Sequence, residues 1–229
     1  MIYILTHRGV TQSIAELTPQ RVLHVGLGPS DSPKFLSDAV GDSIAEKNPY
    51  YCELTGIYWL WKNASDQADE LIGIDQYRRF FLLRPLTHLN EKRALEAIAG
   101  KDIILPERLY FSERSVREQY EIWHRKEDLD KLEALLTELH PEVMPAFAEV
   151  MERSWLHPYN MMVCRKKLFD EYCAWLFPIL FALEKEIDAP AIDDPYQKRV
   201  FGFLAERLLN VCVLYKGLSV AELPIHLEG

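Results

Sequence analysis

Short apolar runs recur along this chain between longer stretches whose apolar residues return at helical spacing, and that alternation narrows the fold more than any single motif. A run of four or five apolar residues bounded by polar ones suits a buried strand. Apolar residues three and four apart suit a helix with one face on a core. Ile2 to Leu5, Val22 to Val25, Leu71 to Ile74, Ile103 to Leu105 and Met161 to Cys164 are of the first kind, and Leu27 to Asp42 reads as a long loop. Leu54, Ile57, Tyr58 and Trp61 are of the second kind, in a helix for which Asn48 is the expected N-cap and Pro49 a first-turn residue.

Further helices are expected over Asn90 to Ala99, stopped by Gly100, and after Ser115, which forms a capping box with Glu118. A leucine-patterned helix surrounds Leu129 to Leu139. Leu168 to about Glu186 reads as a helix kinked at Pro178, and a last one is capped by Asp194 and ends near Gly217. Strands alternating with helices predict an α/β fold with a mostly parallel sheet flanked by helices and a helical C-terminal third, its ligands at the carboxyl ends of the strands.

With 229 residues, 48% of them hydrophobic, the chain can bury one core, and a single domain over 1–229 is expected. Its 26 basic and 35 acidic residues give a net charge of −9, the wrong sign for a partner of nucleic acid. Four cysteines without a CxxC pair lie in apolar segments and read as free thiols in a reducing compartment. The first residues lack the basic and apolar regions of a signal peptide, and the apolar run from Tyr172 to Leu183 falls short of the roughly 20 residues that span a bilayer. A cytoplasmic protein is expected.

The rule that ligands bind at strand ends sorts the polar residues. Thr6, His7 and Arg8 follow the first strand; Asp75, Tyr77, Arg78 and Arg79 follow the strand at 71–74; Glu46, Lys47 and Asn48 lead into the aromatic helix. Lys47 beside a helix N-terminus suits a diphosphate, or else is a solvated lysine beside a cap. Asp75, after a strongly apolar strand, would ligate Mg²⁺ or Mn²⁺, hold a ribose hydroxyl, or pair with Arg78 or Arg79. Those two arginines would themselves clamp phosphate. Of the adjacent Asp193 and Asp194, one would cap the last helix and the other serve as general base. His157, Tyr159 and Asn160, in 157-HPYN-160, would line an acceptor pocket or form a turn around a buried Tyr. Asp128 and Asp130 form the one literal DxD, on a leucine-patterned helix whose solvated face suits both. Walker, GxSxG and HExxH motifs are absent from the sequence.

Six blocks together, 3-YILTHR-8, 46-EKNPYYCELTGIYWLWKN-63, 73-GIDQYRRFF-81, 102-DIILP-106, 158-PYNMMVCRKKLFDEYCAWLFPIL-180 and 194-DPYQKRVFGFLAERLLNV-211, resemble a bacterial family catalogued as a domain of unknown function. Its members occur in capsular and exopolysaccharide gene clusters and are commonly described as glycosyltransferases. The resemblance, which covers nearly the whole chain, implies a compact Rossmann-like domain of the GT-A type. It further implies a nucleotide-sugar donor, with a UDP-sugar favoured, and a growing polysaccharide or lipid-linked glycan acceptor, met at the inner membrane face without insertion.

In such a fold the strand ending near Asp75 carries the metal-binding DxD. Here one carboxylate stands in its place, and Gln76 occupies a position where His is common in the family, so Asp75 would hold Mn²⁺ or Mg²⁺ only weakly. A catalytically silent sugar-nucleotide-binding or assembly subunit is the alternative. A phosphohydrolase is disfavoured for want of clustered metal ligands.

Overall fold

The computed structural model of the protein describes residues 1–8, 21–64, 71–83 and 87–227. Strand β1 (Ile2–Thr6) lies parallel between β2 (Val22–His24) and β4 (Leu71–Gln76), and β2 pairs in parallel with the short β3 (Leu36–Ser37). On the other side of β4, β10 (Val163–Arg165) runs antiparallel to it and to β7 (Ile103–Pro106), and β11 (Val220–Leu223) finishes the sheet parallel to β7. The strand order is therefore β11-β7-β10-β4-β1-β2-β3. From the end of β4 the chain turns into β5 (Arg79–Leu83), which pairs with β6 (Thr87–His88) and with β12 (Ile225–Leu227). A separate ribbon joins β8 (Leu109–Tyr110) to β9 (Trp155–Leu156).

Helices flank this sheet because their apolar stripes need a partner. Leu54 and Ile57 of α2 (Leu54–Asn63), Phe177 and Leu180 of α7 (Lys166–Leu183), and Leu204 and Leu208 of α8 (Val200–Tyr215) share one buried cluster with Leu5, Leu23, Ile72 and Ile74 of the sheet. Fully burying each such side chain is worth about 1.5–3 kcal/mol. The opposite face is smaller: Ile2, Leu71, Ile104 and Val163 pack against Ala94 of α3 (Glu91–Ala97) and Ile98 beyond it. Helices α4 (Val116–Trp123), α5 (Lys126–Leu139) and α6 (Met144–Glu152) extend the larger cluster, α4 opening with the expected Ser115–Glu118 capping box. Pro178 does not end α7; it is exposed, so its missing N–H falls where water meets the neighbouring carbonyl.

The aromatic helix differs most from its sequence pattern. It is split into a single turn, α1 (Asn48–Tyr51), and α2, with Cys52 between them at φ 54°. Asn48 does not cap a helix. Its Nδ2 reaches across the break, donating to the Cys52 carbonyl at 2.8 Å and to Thr55 Oγ1 at 3.1 Å. Beyond the break α2 lies close on the sheet at Gly56, where a Cβ would meet Val25 at 2.8 Å and Leu5 at 3.0 Å. Any larger residue there would push the helix off the ends of β1 and β2.

Three other expectations are corrected. Strand β4 continues through Asp75 and Gln76, which pair with Ile4 and Leu5. The last long helix begins at Val200 rather than beside Asp194, and the chain after Gly217 returns to the sheet as β11 and β12. The loop at 27–42 contains β3.

Candidate functional site

The carboxyl ends of β1 and β4, the β4–β5 turn, the break at Cys52 and the approach to α8 surround a cleft of about 380 Å³. One side is cationic. Arg8 follows β1, Arg78 and Arg79 occupy the β4–β5 turn, and Arg199 precedes α8. Arg79 donates to Gln76 Oε1 at 3.0 Å and lies 4.4 Å over the Tyr159 ring, while Arg78 lies 4.7 Å over Tyr77. Arg199 donates from Nε to Cys52 Sγ at 3.3 Å. Among the described residues, none of the four has a carboxylate within ion-pairing distance; bonds and ring contacts orient the guanidinium groups of Arg78, Arg79 and Arg199 without neutralising them. His7 shares this side, edge-on to Tyr77 at 5.0 Å, and its pKa is lowered, first by burial and then by Arg8, Arg199 and Arg78. Three arginines thus act on one imidazole.

The cleft also carries a carboxylate, Glu53, the residue between the break and α2. Asn160 Nδ2 donates to Glu53 Oε1 at 2.8 Å and to the Gly202 carbonyl at 3.0 Å. Asn160 is buried, and both it and Tyr159 take left-handed backbone, at φ 51° and 80°. Such conformations cost on the order of 1–3 kcal/mol each, more readily borne by Asn than by Tyr. Glu206 Oε1 helps hold them by accepting from the Tyr159 N–H at 3.0 Å. Burial raises the Glu53 pKa, with Glu206 adding to the rise, against the Asn160 hydrogen bond, the Glu53 backbone N–H and Arg199.

A second hollow of about 350 Å³ adjoins the cleft and shares His7, Val25, Asn48 and Pro49 with it. Gly26, Gly28 and Glu46 line its far wall. Gly26 sits at φ 87°, with Asn48 Oδ1 2.9 Å from where a Cβ would be, so only glycine lets the β2 loop close on Asn48.

Of the residues singled out from the sequence, His7, Arg8, Asn48, Tyr77, Arg78 and Arg79 line the cleft. Thr6 lies beneath it; its Oγ1 accepts from the Arg8 N–H at 3.0 Å and shapes the turn that presents His7 and Arg8. Lys47 points away. Its Nζ is held by Glu184 at 2.6 Å beyond the end of α7, because the short turn before α1 aims it at that helix rather than at the strand ends. Asp75 is paired with neither arginine. It is buried in the sheet and accepts from the Phe81 N–H at 3.1 Å, and burial pushes its pKa up to about 8. Gln76 takes its place in the cleft.

Asp194 accepts from the Tyr196 N–H at 2.8 Å and so caps the turn before α8, while Asp193 is exposed; neither lines the cleft. His157 is buried against the Pro106 carbonyl at 2.7 Å and is structural, leaving Tyr159 and Asn160 as the parts of that segment that reach the site through their partners. Asp128 of the DxD is buried next to Arg125, so only Asp130 of that pair lies toward solvent. The sequence reading passed over Glu53 and Arg199, although both lie within the quoted blocks; a carboxylate on an otherwise apolar helix start was the available signal for Glu53.

The donor set at Asp75 does not fit a divalent cation. Its carboxylate is committed within the sheet and holds its proton up to about pH 8, and its cleft-side neighbours are arginines. Among the described residues, His, Cys, Asp and Glu form no group of three with metal-binding geometry. No helix among them is long and apolar enough to cross a membrane.

Comparison with known proteins agrees with this architecture. A family profile described as Domain of unknown function (DUF4422) matches residues 1–217. Curated proteins give no match. Among solved structures, the chain is similar to the apo structure of the WbbM bifunctional glycosyltransferase, with a TM-score of 0.83 and 28% identity. The alignment covers 100% of this chain and 45% of that one, so this chain spans just under half of that protein's length.

Proposed function

From the premise that the chain belongs to the DUF4422 family, with a structural relative that is a glycosyltransferase, we propose that it moves a sugar from a nucleotide-sugar donor to a hydroxyl of a glycan acceptor. The observation that supports this most is a protein of net charge −9 in which four arginines around one cleft have no carboxylate partner among the described residues. Breaking the bond between a sugar and a nucleoside diphosphate builds negative charge on the leaving phosphate. Fixed guanidinium groups stabilise that charge where it develops.

The diphosphate lies against Arg8, Arg78, Arg79 and Arg199, and the nucleoside extends into the hollow between the Gly26–Gly28 loop and Glu46. The sugar then faces Glu53. UDP is the favoured carrier, and the acceptor is a growing capsular or exopolysaccharide, or a lipid-linked glycan met at a membrane surface.

Calorimetric titration of the protein with UDP, GDP and their sugars tests the reading. Saturable binding that weakens as salt is raised is expected, because the dominant contacts are ionic. Binding by none of them would sink it. Binding without turnover on any glycan would instead mark a silent sugar-nucleotide-binding subunit.

A further inference from the structure

Among the described residues lining the larger cleft, Glu53 is the one carboxylate, and Arg199, bonded to the neighbouring Cys52, acts on it electrostatically. It is held in an unusual way. A buried amide, Asn160, donates to it from a backbone turned left-handed at two consecutive non-glycine positions, and the same amide nitrogen is anchored to the Gly202 carbonyl of α8. An arginine in that role would orient a carboxylate too, but would also suppress its basicity. A neutral amide orients it and leaves it able to accept a proton.

Resting on the reading that the cleft holds a nucleotide-sugar, we propose that Glu53 is the general base for the attacking hydroxyl and that Asn160 is its positioning residue. The acceptor oxygen bonds to the anomeric carbon as that carbon's bond to the phosphate oxygen breaks. The bonding pair leaves with the nucleoside diphosphate, and the hydroxyl proton ends on the Glu53 carboxylate. A single displacement of this kind inverts the anomeric carbon.

The groups around Glu53 agree with that role. Burial, and after it Glu206, favour its protonated form, against the Asn160 hydrogen bond, its own backbone N–H and Arg199. The neighbouring Cys52 thiol is pushed up to about 12, first by burial and then by Glu53 itself, and Tyr172 is also raised, so neither competes as a base near neutrality. His7 stands edge-on to Tyr77, and its pKa is lowered by burial and then by Arg8, Arg199 and Arg78.

The test uses the whole chain and whichever UDP- or GDP-sugar it binds, following nucleoside diphosphate release with water and with added oligosaccharides as acceptors. Glu53→Gln is expected to keep donor affinity within about twofold and to slow release by about 100-fold or more. In the parent, the rate falls on acidification with a midpoint above the roughly 4.3 of an ordinary glutamate, and Glu53→Gln abolishes that limb. Asn160→Ser moves the midpoint while leaving donor affinity in place.

A Glu53→Gln protein that binds and transfers like the parent overturns the proposal. So does a limb that His7→Gln removes and Glu53→Gln keeps. Should Glu53→Gln fail to fold, the parent still decides: a profile with no acidic limb above the roughly 4.3 of an ordinary glutamate, or a product that retains the donor's anomeric configuration, overturns it equally. A parent that binds no sugar-nucleotide instead sinks the functional reading, and the role of Glu53 falls with it.

Discussion

The arginines of the outer helices and those of the cleft are the same residue put to opposite uses. On α4, Arg117 meets Glu133 at 2.6 Å; at the start of α5, Arg125 meets Glu127 at 2.9 Å; after α6, Arg153 meets Glu149 at 2.7 Å. Each charge is spent on an acidic neighbour a turn or a helix away. Around the cleft, in a chain with 35 acidic residues, Arg78, Arg79 and Arg199 are steered by rings, an amide and a thiol instead. Neutral supports hold a cation's direction without satisfying its charge, which is what a site awaiting an anion requires.

Removing the unneutralised charge should break the contrast most severely. Replacing Arg78 and Arg79 together by Ala is expected to weaken UDP binding by about 100-fold, equivalent to about 2.7 kcal/mol, with thermal stability little changed. Calorimetry and melting measured side by side would show it, and an unchanged affinity would return both arginines to surface residues.

A smaller and differently signed effect is expected at Asp75, which precedes the arginine turn without serving as its counter-ion. Its folded pKa of about 8 lies above the ordinary 3.8, so the folded state binds the proton more tightly than the unfolded one. Its contribution is therefore fully present below about pH 3.8 and is lost as pH rises through about 8. Asp75→Asn, which keeps an acceptor for the Phe81 N–H, should flatten the stability profile and gain on the parent at alkaline pH. Denaturant melts across that range would reveal it; parallel profiles would mean that Asp75 is charged in the fold.

Lys47→Met should cost about 0.5–1 kcal/mol through its partly exposed bond to Glu184, leaving donor affinity as it was. Arg117→Ala, which removes a partly exposed pair on the helical side, should change stability by less than about 1 kcal/mol and binding not at all. A loss of donor affinity in either would erase the distinction between the two sets of cations.

What could be read from the sequence follows the range of the forces involved. Strand cores were legible because burial writes itself into consecutive residues, and the Ser115–Glu118 box because its two bonds span three positions. Asp75 was misplaced because the apolar run stops at Ile74, whereas the ladder is set by Ile4 and Leu5 and continues two residues further. Lys47 could not be assigned because its partner is 137 positions away, and Arg199 finds Cys52 across 147. Glu53 looked like any carboxylate at a helix start; only the fold brings a strained Asn160 to it. The strands β11 and β12 were missed because short, half-buried segments at a sheet edge carry little alternation.

The pairing of β12 with β5 bears on the order in which the molecule can be completed during synthesis. Leu227 lies opposite Arg79 and Ile225 opposite Phe81, so the arm that presents two cleft arginines finds its neighbouring strand only after more than half of the chain has been translated. Until then the outer edge of β5 is unpaired, and Phe80 and Phe81 lack part of their cover. The corner that carries Arg78 and Arg79 is thus translated well before the strand that braces it. A nascent chain halted before Ile225 would carry every arginine of the cleft without the brace that holds two of them in place.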